Sequence, residues 1–136
     1  MESNHMIVLK DRNVARNPVA RAIAARQLKK RMVDQRIQLL MLDEDEDARE
    51  NILPISDAIF VMAYALELVN DMESTDYRKL KSAMLVLVAC SERKFAWRKA
   101  DAITIDNAIQ ITVERWIKIP TNTLHDAMTH ILGTMK

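Results

Sequence analysis

The sequence predicts an all-α protein, a single-domain helical bundle of four long helices plus a short C-terminal helix. Three observations lead there. One glycine and three prolines in 136 residues are too little turn chemistry for the many hairpins of a β protein. Hydrophobic residues make up 49% of the chain and recur at spacings of three and four, the repeat of a helix face. The length is close to the commonest domain size and suffices to bury a real core. One domain over residues 1–136 is therefore expected, with residues 1–16 as an N-terminal arm.

The first helix is expected from residue 18 to about 42. Asn17 caps the free amides, and Pro18 is tolerated at the first helical position, where its missing donor is of no consequence. Ile23, Ala24, Leu28, Met32, Val33, Ile37, Leu40 and Met41 supply its apolar positions, while Arg21, Arg26, Lys29, Lys30, Arg31 and Arg36 supply most of its polar surface. Five consecutive acids, Asp43, Glu44, Asp45, Glu46 and Asp47, repel one another and sit badly at the negative end of a helix dipole, so the helix should stop there.

Pro54, with Ser56 and Asp57 close behind, opens a second helix expected to reach about Met72. Its middle, residues 58–66, is apolar around the whole circumference, which marks it as the central helix. The acid-rich stretch 71–76 breaks it. Ser74 or Thr75 then caps a third helix carrying Tyr77, Leu80, Met84, Leu87 and Val88. Residues 91–99 are a polar connection holding Phe95 and Trp97. After it, Ala102, Ile105, Ala108, Ile109, Thr112, Val113, Trp116 and Ile117 trace a clean amphipathic stripe, and Pro120 ends this fourth helix. Thr123 with Asp126 three positions later resembles a capping box, and Gly133 stands where a left-handed C-terminal residue belongs. A short fifth helix is expected over residues 124–132.

Chemistry is harder to find than architecture. A single glycine excludes glycine-rich phosphate cradles. The lone Cys90 forms no intramolecular disulfide and ends an apolar run, so it reads as a buried thiol in a reducing compartment. His125 and His130 lie about 140° apart around a helix and cannot share a metal ion, whereas Asp126 and His130 are spaced to pair locally. The acids from Asp43 to Asp47 lack the alternation and the glycine of a calcium loop. Glu67 and Asp71 share a helical face, but no Glu-x-x-His follows to support a di-iron site. No cofactor, no metal and no enzyme activity are expected. The longest apolar runs, residues 58–66 and 83–90, are far short of the roughly 20 residues that span a bilayer, and no signal peptide is read at the N-terminus. A cytoplasmic protein is expected, and a monomer.

Charge is the most informative remaining pattern. The net of +1 conceals three alternating blocks. Residues 1–42 hold nine Lys/Arg and three Asp/Glu, a net of +6; residues 43–76 hold one Arg and eleven acids, a net of −10; residues 77–136 hold ten Lys/Arg and five acids, a net of +5. Such blocks can attract one another within the fold or meet a charged partner. Arg21, Arg26, Lys29, Lys30 and Arg36 on the first helix are candidate partner-binding residues, as are the acids from Asp43 to Asp47. Phe95 and Trp97 join them, because aromatics are enriched at interface hot spots; their other reading is closure of the end of the bundle. The functional expectation is a small interaction or regulatory protein that binds another protein or a nucleoprotein assembly. An inhibitor of the anti-defence type carried by mobile elements is one form of it. The alternative is direct nucleic-acid binding by the basic first helix, since its cations can neutralise phosphates and release counterions.

Overall fold

Asn17 opens the first helix as its position requires. Its Oδ1 accepts hydrogen bonds from the amides of Val19 at 2.8 Å and Ala20 at 3.3 Å, satisfying two donors that have no partner inside the helix. The computed structural model describes residues 16–41, 53–91 and 99–134, and the side chains of residues 16–37, 55–89 and 100–133. Residues 1–15 of the expected N-terminal arm and the side chain of Cys90 lie outside the described residues and side chains. Five helices are present among them: α1 (Pro18–Met41), α2 (Leu53–Leu68), α3 (Thr75–Ser91), α4 (Lys99–Trp116) and α5 (Thr121–Thr134). They form the all-α bundle that the sequence predicts.

The second helix is central. It packs on α5, α3, α4 and α1, whereas α1 rests mainly on α4 and α3 mainly on α4 and α2. Ile55, Ile59, Met62 and Leu66 of α2 are fully buried against Leu80 and Leu87 of α3, Ile105 of α4, Leu124 of α5 and Met32 of α1. A helix apolar on every side leaves no alternative, because each exposed face would return several kilocalories per mole of transfer free energy to water. One strip of α2 remains half-exposed, at Phe60, Tyr64 and Glu67. The ring of His130 on α5 stacks on Tyr64 there, with centroids 4.3 Å apart and planes 8° from parallel. That stack, rather than a pair with Asp126, is the contact the structure shows for His130.

Helix ends depart from expectation at three places. The second helix stops at Leu68, four residues before Met72, because Asn70 adopts a left-handed conformation with φ of 60°. The amide of Asp71 donates to the carbonyl of Leu66 at 2.8 Å and that of Asn70 to Glu67 at 3.1 Å, the paired bonds of a Schellman ending. Glu67 and Asp71 consequently do not share a helical face. Ser74 caps α3 as expected, its Oγ accepting from the Tyr77 amide at 3.1 Å. The fourth helix ends at Trp116 rather than at Pro120, and amides of Lys118 and Ile119 turn back onto the Arg115 carbonyl.

Pro120 instead occupies the N-cap of α5, its carbonyl receiving the Leu124 amide at 3.0 Å. The fifth helix thus spans 14 residues, starts at Thr121 and encloses both Thr123 and Gly133. The expected capping box and the left-handed glycine are therefore not formed; Gly133 has no positive φ. Proline lacks the amide that an N-cap does not need, so one residue both prevents α4 from continuing and begins the next helix.

Trp116 is buried at the foot of α4, and Trp116→Ala is expected to lower the unfolding free energy by about 3–5 kcal/mol, the range for truncating a large core aromatic. Urea denaturation checks it, with Ile117→Ala, an exposed neighbour, expected to stay within about 0.5 kcal/mol of wild type. At the α2 ending, Asn70→Gly is expected to leave the midpoint unchanged or raise it, while Asn70→Val should cost about 1–2 kcal/mol, the penalty for a left-handed residue with a crowded Cβ.

Candidate functional site

The first helix carries two stripes where the sequence was read as having one. Arg21, Ala25, Leu28, Met32 and Gln35 are buried and follow spacings of four, three, four and three. Nearly opposite them, Val19, Ile23, Arg26, Lys30, Val33 and Ile37 follow spacings of four, three, four, three and four. Val19 is 68% exposed, Ile23 48% and Ile37 45%; Arg26 and Lys30 are exposed and Val33 is half-buried. Ile23 and Ile37, expected on the core face, therefore stand outside. The physical reason is that both sets obey a helical repeat, and a helix with apolar residues on two sides can dock by only one of them at a time.

Arg21 is the second correction. Expected on the polar surface, it is 8% exposed and reaches across from α1 to the junction of two other helices. Its Nη2 donates to the carbonyl of Trp116, the last residue of α4, and its Nη1 lies 3.5 Å from Oγ1 of Thr121, the first residue of α5. A cation placed on free carbonyls at a helix C-terminus is favoured by their partial negative charge. Burial lowers the proton affinity of this guanidinium from its ordinary value, yet an arginine remains charged throughout the physiological range. Arg21 therefore holds the fold together and presents nothing to a partner.

The other candidates divide clearly. Arg36 is engaged by Asp106 of α4: Nη2 donates to Oδ2 at 2.7 Å, and Nε lies 2.6 Å from Oδ1. Arg26, Lys29 and Lys30 are exposed and meet no carboxylate among the described residues. Asp43, Glu44, Asp45, Glu46, Asp47, Phe95 and Trp97 lie outside the described residues.

Where charge blocks do meet, they meet across helices. Arg115 of α4 has Nε 2.9 Å from Oδ2 of Asp76 and Nη2 3.4 Å from Oδ2 of Asp71, which ties the basic third block to the turn between α2 and α3. In that region Tyr77 hydrogen-bonds Glu67; burial, and then this carboxylate, push its phenol above the ordinary value.

What remains of the candidate residues among those described is the outer surface of α1. Among the described residues, no group of three His, Cys, Asp or Glu side chains could hold a metal ion, and no helix is long and apolar enough to cross a membrane. The outer face of α1 is about 27 Å long from Val19 to Ile37 at the helical rise, with aliphatic residues toward both ends and two cations at its centre. Sequence reading picked out the cations and missed Val19, although the four-three repeat through it was present to be counted.

Replacing Arg21 with Gln is expected to cost about 1.5–3 kcal/mol, as for loss of a hydrogen bond from a charged donor, whereas Arg26→Gln should change stability by less than about 0.5 kcal/mol. Thermal melts of the two variants side by side test the division of the basic helix into a structural and a free part.

No protein-family model matches the chain, and no curated protein or solved structure matches it.

Proposed function

We propose that this chain is a non-enzymatic interaction module, which acts by docking another protein on the outer face of α1. A single observation supports the reading: a helix already anchored by one stripe carries a second one, exposed, with aliphatic side chains where solvent alone would favour polar ones. Exposed aliphatic side chains aligned along one helix face, with an arginine among them, suit a contact surface. A chain that binds without chemistry of its own serves a regulatory or inhibitory role by covering a surface of its partner.

Nucleic-acid binding is the second reading, favoured by the exposure of Arg26, Lys29 and Lys30. Against it stand Val19, Ile23 and Ile37, which give a phosphate backbone nothing to hold, and the exposed Asp34 on the same side of the helix. Two of the five basic candidates, Arg21 and Arg36, are already bound within the fold.

The test is capture from lysate of the cells in which the protein naturally acts, with and without nuclease, using the wild type and the Val19→Ser/Ile23→Ser/Ile37→Ser variant. The expected result is a protein retained after nuclease and lost from the variant, whose melting should be unchanged. Labelled DNA and RNA should show no mobility shift with the wild type at physiological salt. Should capture instead vanish with nuclease and with Arg26→Gln/Lys29→Gln/Lys30→Gln, nucleic acid is the partner. The slope of log affinity against log salt would then flatten by about 0.7–0.9 for each phosphate contact removed.

A further inference from the structure

We infer that the outer face of α1 forms one half of a two-helix coiled coil, the other half being a partner's amphipathic helix with aliphatic residues toward its ends and Asp or Glu at its centre. The inference rests on the protein-docking reading above and names the partner's chemistry. Val19, Ile23, Arg26, Lys30, Val33 and Ile37 alternate spacings of four and three without interruption, and that average period of 3.5 keeps one seam facing a second helix. The opposite stripe, on α4 and α2, already holds α1 in place. The free seam is therefore presented on a rigid, preformed helix.

Charge selects the occupant. Arg26 and Lys30 hold the two central seam positions, and exposed Lys29 flanks them. Docking strips water from such groups, and a cation desolvated without a partner is strongly unfavourable, so the facing helix must supply carboxylates there. Val19 and Ile23 at one end and Ile37 at the other call for aliphatic side chains, with Val33, partly packed against the core, at the margin of the seam.

A second copy of this chain does not fit. Parallel and in register, Arg26 meets Arg26 and Lys30 meets Lys30; antiparallel about the centre of the stripe, Arg26 meets Lys30. Shifting the antiparallel pair by one heptad sets each cation against an aliphatic residue. In each of these registers the two seam cations face a like charge or an aliphatic residue.

Two segments of the chain itself match the seam less well than a partner helix. Residues 43–47 are acidic, but they follow Met41, which lies about 17 Å along the helix from Lys30 and about 23 Å from Arg26. The eleven residues of 42–52 must also return to Leu53 at the start of α2. Consecutive acids bring no aliphatic side chain to Val19 or Ile23. Residues 6–9 are aliphatic or Met, yet Lys10, Asp11 and Arg12 follow them with a net positive charge where negative is needed.

The test uses the full chain and two synthetic peptides of about four heptads with an Ile/Leu seam, one carrying Glu and the other Lys at the two central seam positions. Fluorescence anisotropy is expected to show the Glu-centred peptide bound at least about tenfold more tightly than the Lys-centred one, with the order reversed for Arg26→Glu/Lys30→Glu. Both substitutions are on exposed positions, and an unchanged melting curve confirms the fold. Binding of neither peptide, or no reversal, overturns the inference. So does a wild-type dimer in sedimentation that dissociates on Ile23→Ser/Ile37→Ser, which would make a second copy the occupant. Binding of the Glu-centred peptide that strengthens about tenfold or more when residues 43–47 are changed to Asn would assign the seam to the chain's own acids. A duplex DNA that displaces the Glu-centred peptide would assign it to phosphates. If nuclease-resistant protein capture through α1 persists while neither peptide binds, the helical acidic partner is wrong and the docking surface stands; loss of that capture removes the docking surface itself.

Discussion

The bundle depends on hiding α2. A helix whose buried residues, from Val61 and Ala65 through Met62 and Leu66 to Ala63, sweep more than half of its circumference has to be surrounded, and among the described residues four other helices do it. The consequence is a hub: α5, α3, α4 and α1 all touch α2. Hydrophobic burial is proportional to area and indifferent to direction, so it sets how many neighbours α2 has without choosing their angles. Directional bonds at the helix ends do that. Asn70 turns the chain from α2 toward α3, and Pro120 turns it from α4 into α5. Arg21 then joins α1 to the second of these corners through the Trp116 carbonyl.

The charged blocks contribute less to stability than their size implies. The pairs Arg36–Asp106 and Arg115 with Asp71 and Asp76 are partly exposed, and bridges of this sort are worth about 0–1 kcal/mol each. They matter more for arrangement: each links residues far apart in sequence, and together they engage cations from the first and third blocks. Arg26, Lys29 and Lys30 have no carboxylate among the described residues. The outer face of α1 thus holds cations of the basic block that no carboxylate among the described residues engages.

That face shows how stability and function divide on one helix. The inner stripe includes Arg21, which joins α1 to the α4–α5 corner, and Gln35, while Val19, Ile23 and Ile37 stand outside. Burying such an aliphatic side chain is worth about 1.5–3 kcal/mol, a gain the bundle forgoes at these three positions. The proposed docking function accounts for where they are, because a partner helix recovers the same burial on association.

The amino-acid sequence alone determined the helical class, the central place of α2, the cap at Asn17, a cap of α3 at Ser74 or Thr75, and the burial of Trp116. Each follows from local chemistry or from periodicity along one helix, and neither needs a neighbour to be known. The tertiary structure decided which of two equally periodic stripes on α1 faces inward, since spacing fixes which residues share a face but not what that face meets. It decided the role of Arg21, because a guanidinium near a helix start reads as surface until the Trp116 carbonyl is brought across to it from 95 residues away. It also decided the endings at Asn70 and Pro120, where several residues compete to stop or start a helix and the winner is the one whose backbone turn lets the next helix reach the core. Of the candidate site, the cations Arg26, Lys29 and Lys30 were legible as charge; the aliphatics beside them became a surface only when the rest of the bundle closed on the opposite side of the helix.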